Sequence, residues 1–198
     1  GAFAMLAQSN AINNPNAFFR KPLKAETYAK AEPVCEPLNL FDIAPLADGA
    51  AALLLTRSSL APKDLPLPLV KVTGSAVAVD ALSLHDRINP LSFLAARQSL
   101  REACRQAGIL PGDADFFELG DAYTIYAALT LEACGFAKPG ESPRMAREGH
   151  FSLTGKLPIS TLGGMKGRGN PLGASGAYQL VEAVQQLRGA AGENQLKK

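Results

Sequence analysis

The stretch Ile159–Val184 reads ISTLGGMKGRGNPLGASGAYQLVEAV, and its reading decides the fold. Six glycines fall between Gly163 and Gly176, after which the glycines stop and an apolar pattern begins at Ala177, Leu180, Val181, Val184 and Leu187. The spacing predicts a strand end, a tight glycine loop and a helix that starts inside the loop, with Ser175 as its N-cap and Ala177, Leu180 and Val181 facing inward. Glycine lets backbone approach a ligand closely, and a helix start offers unpaired N–H groups to an anion or a polarised carbonyl. The segment therefore either presents backbone donors and the Asn170 side chain to a ligand, or serves only as a structural loop.

Nucleotide binding does not fit. Gly167, Gly169 and Gly173 are spaced GxGxxxG rather than GxGxxG, and no acidic residue follows at the required distance. Around Lys156 the run GHFSLTGKL is one residue too long for a phosphate loop, with Leu157 where Ser or Thr belongs.

The 198 residues are 47% hydrophobic and 19% charged, which suits a globular domain with a real core. A net charge of +2 implies neither a nucleic-acid nor an acidic-membrane partner, and no apolar run is long enough to span a bilayer. No signal peptide is visible. Three cysteines without a CxxC argue against a disulfide framework or a zinc site and for a reducing, cytoplasmic setting. Cys104 and Cys134 lie in helical apolar contexts and read as core, whereas Cys35, between prolines, reads as exposed. The chain starts inside a helical pattern and stops abruptly at GENQLKK, as a piece of a longer polypeptide would.

Along the chain, helices are expected over 2–11, 25–31, 91–107 (closed by Gly108) and 121–134 (closed by Gly135), with Asp121 capping the last. Strands are expected over 50–56 and 69–78, a short buried strand near 113–119 and a β-excursion over 151–158. Residues 62–68 and 138–149 read as loops. Alternating strands and helices give an α/β layered fold.

Three motifs, which fall in the family's order along the chain at 37–55, 106–124 and 163–176, resemble the thiolase family. GGMKGRGNPLGASG resembles the signature GGxxxxGHPxGxSG, PLNLFDIAPLADGAAALLL (37–55) resembles PLxxxDxxxxxDGAAAxxL, and QAGILPGDADFFELGDAYT (106–124) resembles AGxxxxDxDxxExHDAF in its sterol-carrier-protein-2-type and archaeal variant. The resemblance implies a layered α/β/α fold with a mixed sheet and a buried central helix, incomplete at both ends. It also implies that 1–57 closes an N-terminal region and 58–198 forms a C-terminal domain without its last strands.

The implied activity is Claisen condensation or thiolysis of acyl-CoA thioesters, with coenzyme A entering as substrate and no permanent cofactor. The family's nucleophilic cysteine lies upstream of the region matched here. Its GHP histidine aligns with Asn170 and its HDAF histidine with Gly120, so the two aligned catalytic positions lack a base. Asparagine donates a hydrogen bond but takes no proton near neutral pH. Ketosynthases of the initiating and chalcone-synthase type place asparagine at the position of Asn170, but their histidine stands at that of Gly120. His85 and His150 are the histidines of this chain. Gly169, Ser175 and Gly176 are the candidate coenzyme contacts. The implied partners are acyl-CoA, a second copy in a homodimer and a small OB-fold protein with a zinc ribbon. Two functions remain open: an acyltransferase with altered catalytic residues, or a non-catalytic scaffold subunit that binds coenzyme A or the OB-fold partner. Asn170 itself either holds a thioester oxygen or only tightens the turn before Pro171.

Overall fold

The computed structural model describes residues 1–62 and 64–197; Lys63, in the expected loop 62–68, lies outside the described residues. Seven α-helices are described: α1 (Ala2–Ala11), α2 (Ala25–Ala29), α3 (Leu94–Ala107), α4 (Thr124–Ala133), α5 (Ser142–Arg147), α6 (Gly164–Arg168) and α7 (Ser175–Leu187). β1 (Pro33–Cys35) pairs antiparallel with β2 (Leu38–Asn39). Single bridges join Ile43 to Tyr123, Leu46 to Asn170 and Phe117 to Ile159, the last two parallel.

The core lies where α1, α4 and α5 meet the Phe117–Ile159 bridge. Phe3, Leu119, Ala127, Ala128, Leu131, Ala146, Phe151, Leu157 and Ile159 form one buried cluster, with Phe151 and Leu131 fully enclosed. Phe3 stacks on Phe151 at 6.2 Å. Burial of this apolar surface is the main favourable term holding the helices together. α1 sits directly on α6, because Gly163 and Gly167 present bare backbone to Ala11. Gly108, at φ 72°, closes α3 in the left-handed conformation that glycine adopts without strain.

Five local expectations are corrected. Residues 50–56 and 69–78 form no strand among the described residues, and Leu54 and Val77 stand almost wholly exposed. A strand needs a neighbouring edge for its backbone groups, and neither segment has one here. Residues 138–149, read as a loop, contain α5: Pro143 occupies its first turn, where a missing N–H costs nothing, and Arg144 pairs with Glu148 one turn on at 2.7 Å. Residues 151–158 are a run of turns rather than a β-excursion. Finally, α7 is half-buried and turns a polar side inward. Ser175, Glu182 and Gln186 are its buried residues, whereas Leu180 and Leu187 are more than half exposed. The inward polar groups have partners, Arg168 for one oxygen of Glu182 and the Asn194 carbonyl for Gln186, which lowers the penalty for burying them.

Candidate functional site

The glycine segment folds as two helical pieces rather than a plain loop. α6 occupies its first half, a 3₁₀ turn (Leu172–Ala174) follows Asn170 and Pro171, and α7 begins at Ser175. Asn170 is pinned on both sides of its peptide. Its N–H donates to Pro45 O at 2.8 Å, and its carbonyl accepts from Ala47 N at 3.2 Å. Its side-chain Oδ1 accepts from Leu172 N at 3.0 Å and from Ser175 Oγ at 3.1 Å. Two donors on one atom fix the amide orientation. Nδ2 has no acceptor among the described residues. Leu172 holds φ 50°, a left-handed conformation that strains a non-glycine residue by about 1–3 kcal/mol.

Ser175 does not cap α7 as expected. Its hydroxyl spends its proton on Asn170, and the N-cap position falls to Ala174 without a side-chain bond. Gly169, at φ 109°, is buried, and a side chain there would meet Ala47 at 2.8 Å. Gly176 is exposed, with open space where its Cβ would stand.

Gly120 lines an open groove of about 520 Å³ together with Phe93, Leu100, Tyr126, Cys134 and Gln179. Asn170, Gly169, Ser175 and Gly176 are not among its lining residues, and Asn170 is brought together with Ser175. Of the three free cysteines, Cys134 lines this groove; burial pushes its thiol up to about 11, so it is protonated at neutral pH. Cys104 is buried and Cys35 exposed. His85 is exposed beside Asp86, and His150 packs edge-on against Phe151.

Asp121 does not cap α4. Its Oδ1 accepts from Met165 N at 2.7 Å, so it caps α6 instead, and Gly164 is bare because a Cβ would strike the carboxylate. Burial raises the Asp121 carboxyl, while Lys166 and Arg168 oppose that rise. Burial in turn brings Lys166 down to about 8. Asp42 anchors the other side of this region, accepting from Thr124 Oγ1 and Tyr28 Oη at 2.7 Å each and from Asn39 N at 3.1 Å. Burial opposes its ionisation, yet these donors hold its carboxyl below the usual range.

Four charged residues escaped sequence reasoning: Glu118, Lys166, Arg168 and Glu182. Arg168 and Glu182 form a buried pair at 2.7 Å, with the guanidinium 4.4 Å over the Tyr178 ring. Glu118 stands inside the QAGILPGDADFFELGDAYT motif, and the signal that could have found it is a charge placed between apolar neighbours, Phe117 and Leu119. Among the described residues no group of three His, Cys, Asp or Glu is placed to hold a metal ion. Among them, too, no helix is long and apolar enough to cross a membrane.

A family model described as thiolase C-terminal domain-like matches residues 76–198. The chain belongs to that family. It is 37% identical to the acetyl-CoA acetyltransferase of Methanothermobacter thermautotrophicus, over 98% of the chain and 50% of that relative. It is 32% identical to the benzoylsuccinyl-CoA thiolase subunit BbsB of Thauera aromatica, over 93% of the chain and 49% of that protein. It is 29% identical to sterol carrier protein 2 of Oryctolagus cuniculus, over 98% of the chain and 37% of the relative. The chain thus spans about half the length, or less, of these relatives. A solved structure titled Ltp2-ChsH2(DUF35) aldolase superposes with a TM-score of 0.88 at 24% identity, covering 100% of this chain and 52% of that one. The α/β fold expected from the motifs is therefore the thiolase-like fold of this chain, and its kinship is with acyltransferases.

Proposed function

We propose that this thiolase-family chain acts on acyl-CoA thioesters as part of a thiolase-type acyltransferase. In this reading 1–57 belongs to the end of the N-terminal region and 58–198 to the C-terminal domain. Coenzyme A enters as substrate beside the exposed Gly176, on the segment that holds the buried Gly169 and Ser175, with Gly120 leaving room for the acyl group. The supporting observation is the division of labour within Asn170. Oδ1 is committed to Leu172 N and Ser175 Oγ, which leaves the Nδ2 donor for a thioester carbonyl. An amide cannot act as base, so Asn170 binds and polarises while proton removal falls to a group outside these positions. A homodimer or a small OB-fold zinc-ribbon partner belongs to the same proposal, as does a cytoplasmic setting.

The test is Asn170→Asp. Aspartate keeps the acceptor for Leu172 N and Ser175 Oγ but has no N–H to donate. Acetyl-CoA affinity should fall about tenfold or more, the size of one hydrogen bond to a polar ligand group. Free coenzyme A, which lacks the carbonyl, should bind almost as before. No binding of either ligand by the parent protein removes the reading altogether.

One observation favours a second reading, the non-catalytic scaffold: the sulfur that lines the groove beside Gly120 is a protonated thiol. Equal acetyl-CoA affinity in the parent protein and Asn170→Asp would favour it.

A further inference from the structure

Ser175, Tyr178 and Glu182 recur at i, i+3 and i+7 along α7, so they form a stripe on one face of the helix. The stripe grips the glycine segment at two alternate residues. Ser175 Oγ donates to Asn170 Oδ1 at 3.1 Å. Glu182 Oε1 accepts from Arg168 Nε at 2.7 Å, and the Tyr178 ring centre lies 4.4 Å from the same guanidinium. Arg168 Nη1 also donates to the Gly169 carbonyl at 3.4 Å, inside the segment being held. A planar guanidinium can donate from several nitrogens and stack on a ring at once, which an ammonium cannot do. The hydroxyl end of Tyr178 fits against bare backbone: a Cβ at Gly49 would stand 2.8 Å from Tyr178 Oη and 3.4 Å from Pro171 Cβ.

We propose that this stripe is a two-point clamp and that Arg168 and Tyr178 are positioning residues, which hold the Asn170 turn against α7 so that its Nδ2 donor keeps one orientation for a ligand carbonyl. The proposal rests on the acyl-CoA reading and assigns the groups that hold its polarising amide. A donor acts on a carbonyl only within a narrow range of distance and angle, so its placement matters as much as its presence. The Asn170 peptide is already bonded on both sides, to Pro45 O and from Ala47 N. The freedom that remains is that of the turn against α7, and the clamp removes it. Leu172, at φ 50°, donates to Asn170 Oδ1 within the same turn, and strained backbone of this kind persists only where its surroundings over-determine it. The ion pair itself is a poor source of stability. It is buried, and Glu182 Oε2 and Arg168 Nη2 are enclosed without partners among the described residues. The geometry that the pair enforces is the better account of its place here.

The experiment compares the parent with Tyr178→Leu, Arg168→Lys and the conservative Tyr178→Phe. Amide hydrogen exchange is followed without ligand, and acetyl-CoA and free coenzyme A are titrated separately by calorimetry. In Tyr178→Leu and Arg168→Lys the backbone N–H groups of Asn170 and Ala47 should exchange roughly tenfold faster or more, while that of Leu131 in the core exchanges as in the parent. Acetyl-CoA affinity should fall about three- to tenfold with coenzyme A affinity unchanged. In an Asn170→Asp background, Tyr178→Leu should cause no further loss, because the donor it positions is already gone. Tyr178→Phe keeps the ring over Arg168 and should match the parent in both readouts. Tyr178 is half-buried, so its variants decide alone if Arg168→Lys fails to fold. A merely structural role would lower both affinities together and speed exchange at Leu131 as well. That result overturns the proposal, as does unchanged exchange at Asn170 and Ala47, or a loss in Tyr178→Leu that adds to that of Asn170→Asp. A parent that binds neither ligand removes the acyl-CoA reading alone, and the exchange rates then decide whether the clamp holds Asn170.

Discussion

Replacing Gly167 by alanine puts a methyl group where α1 already stands. A Cβ built at Gly167 lies 2.5 Å from Ala11 Cβ and 2.9 Å from Ala7 O. Non-bonded carbons settle about 3.5–4.0 Å apart, so the two helices would have to separate by roughly 1 Å. Ala7 and Ala11 are buried, Ala11 completely, and neither is the end of a flexible side chain that could swing away. Overpacking of this kind costs about 1–3 kcal/mol. Alanine recovers up to about 1 kcal/mol through its better helix propensity, but α6 is only five residues long and gains little from it. The expected net loss is about 2 kcal/mol, or a Tm lower by roughly 4–8 °C in a chain of this size. Gly176→Ala is the matched control: α7 is longer, and a Cβ at Gly176 meets nothing within 4 Å. It should leave stability unchanged or raise it by about 0.5–1 kcal/mol. Thermal unfolding followed by circular dichroism measures both. Equal shifts in the two variants, or an unchanged Gly167→Ala, would refute the claim that α1 rests on bare α6 backbone.

Arg168→Met should destabilise by about 3–5 kcal/mol in urea unfolding, because it strands the Glu182 carboxylate inside the protein. Ser142→Ala should cost about 1–3 kcal/mol, since the fully buried Ser142 hydroxyl donates to Glu132 Oε1 at 2.6 Å. In iodoacetamide labelling at neutral pH, Cys35 should react first, and Cys134 should stay unmodified until denaturant is added.

Local chemistry was legible in the sequence; partnership across the chain was not. α1, α3 and α4 carry their own signals in apolar spacing and in the glycines at 108 and 135, which take φ of 72° and 82°. The three thiolase-like motifs announced the fold. The segments 50–56 and 69–78 have strand-like composition, but a strand is completed only by an edge elsewhere, and composition does not say whether one is there. α5 was hidden by Pro143, which breaks a helix in its middle but suits its first turn. For α7 the periodicity was right and the inward face was not. Hydrophobicity argued for Leu180 inside, and the buried salt bridge from Arg168, fourteen residues away in sequence, put Glu182 there instead. At the site, Asn170 and Ser175 were named from a motif, and their mutual hydrogen bond was not foreseen. Glu118 went unremarked because a charge among aromatics reads as ordinary until its second oxygen is seen to be enclosed.

The uncovered segments around Leu54, Leu55, Val77 and Val79 bear on how the polypeptide behaves at high concentration. These four side chains are between 76% and 97% exposed, and backbone of the same stretches lies outside any sheet ladder. Such β-prone apolar stretches are templates for pairing with whatever strand a neighbour offers. The expected outcome for this polypeptide alone is intermolecular sheet at high concentration, read as a rise in thioflavin T fluorescence. A lysine at position 54 or 77 would act as a gatekeeper, improving yield without touching the helical core.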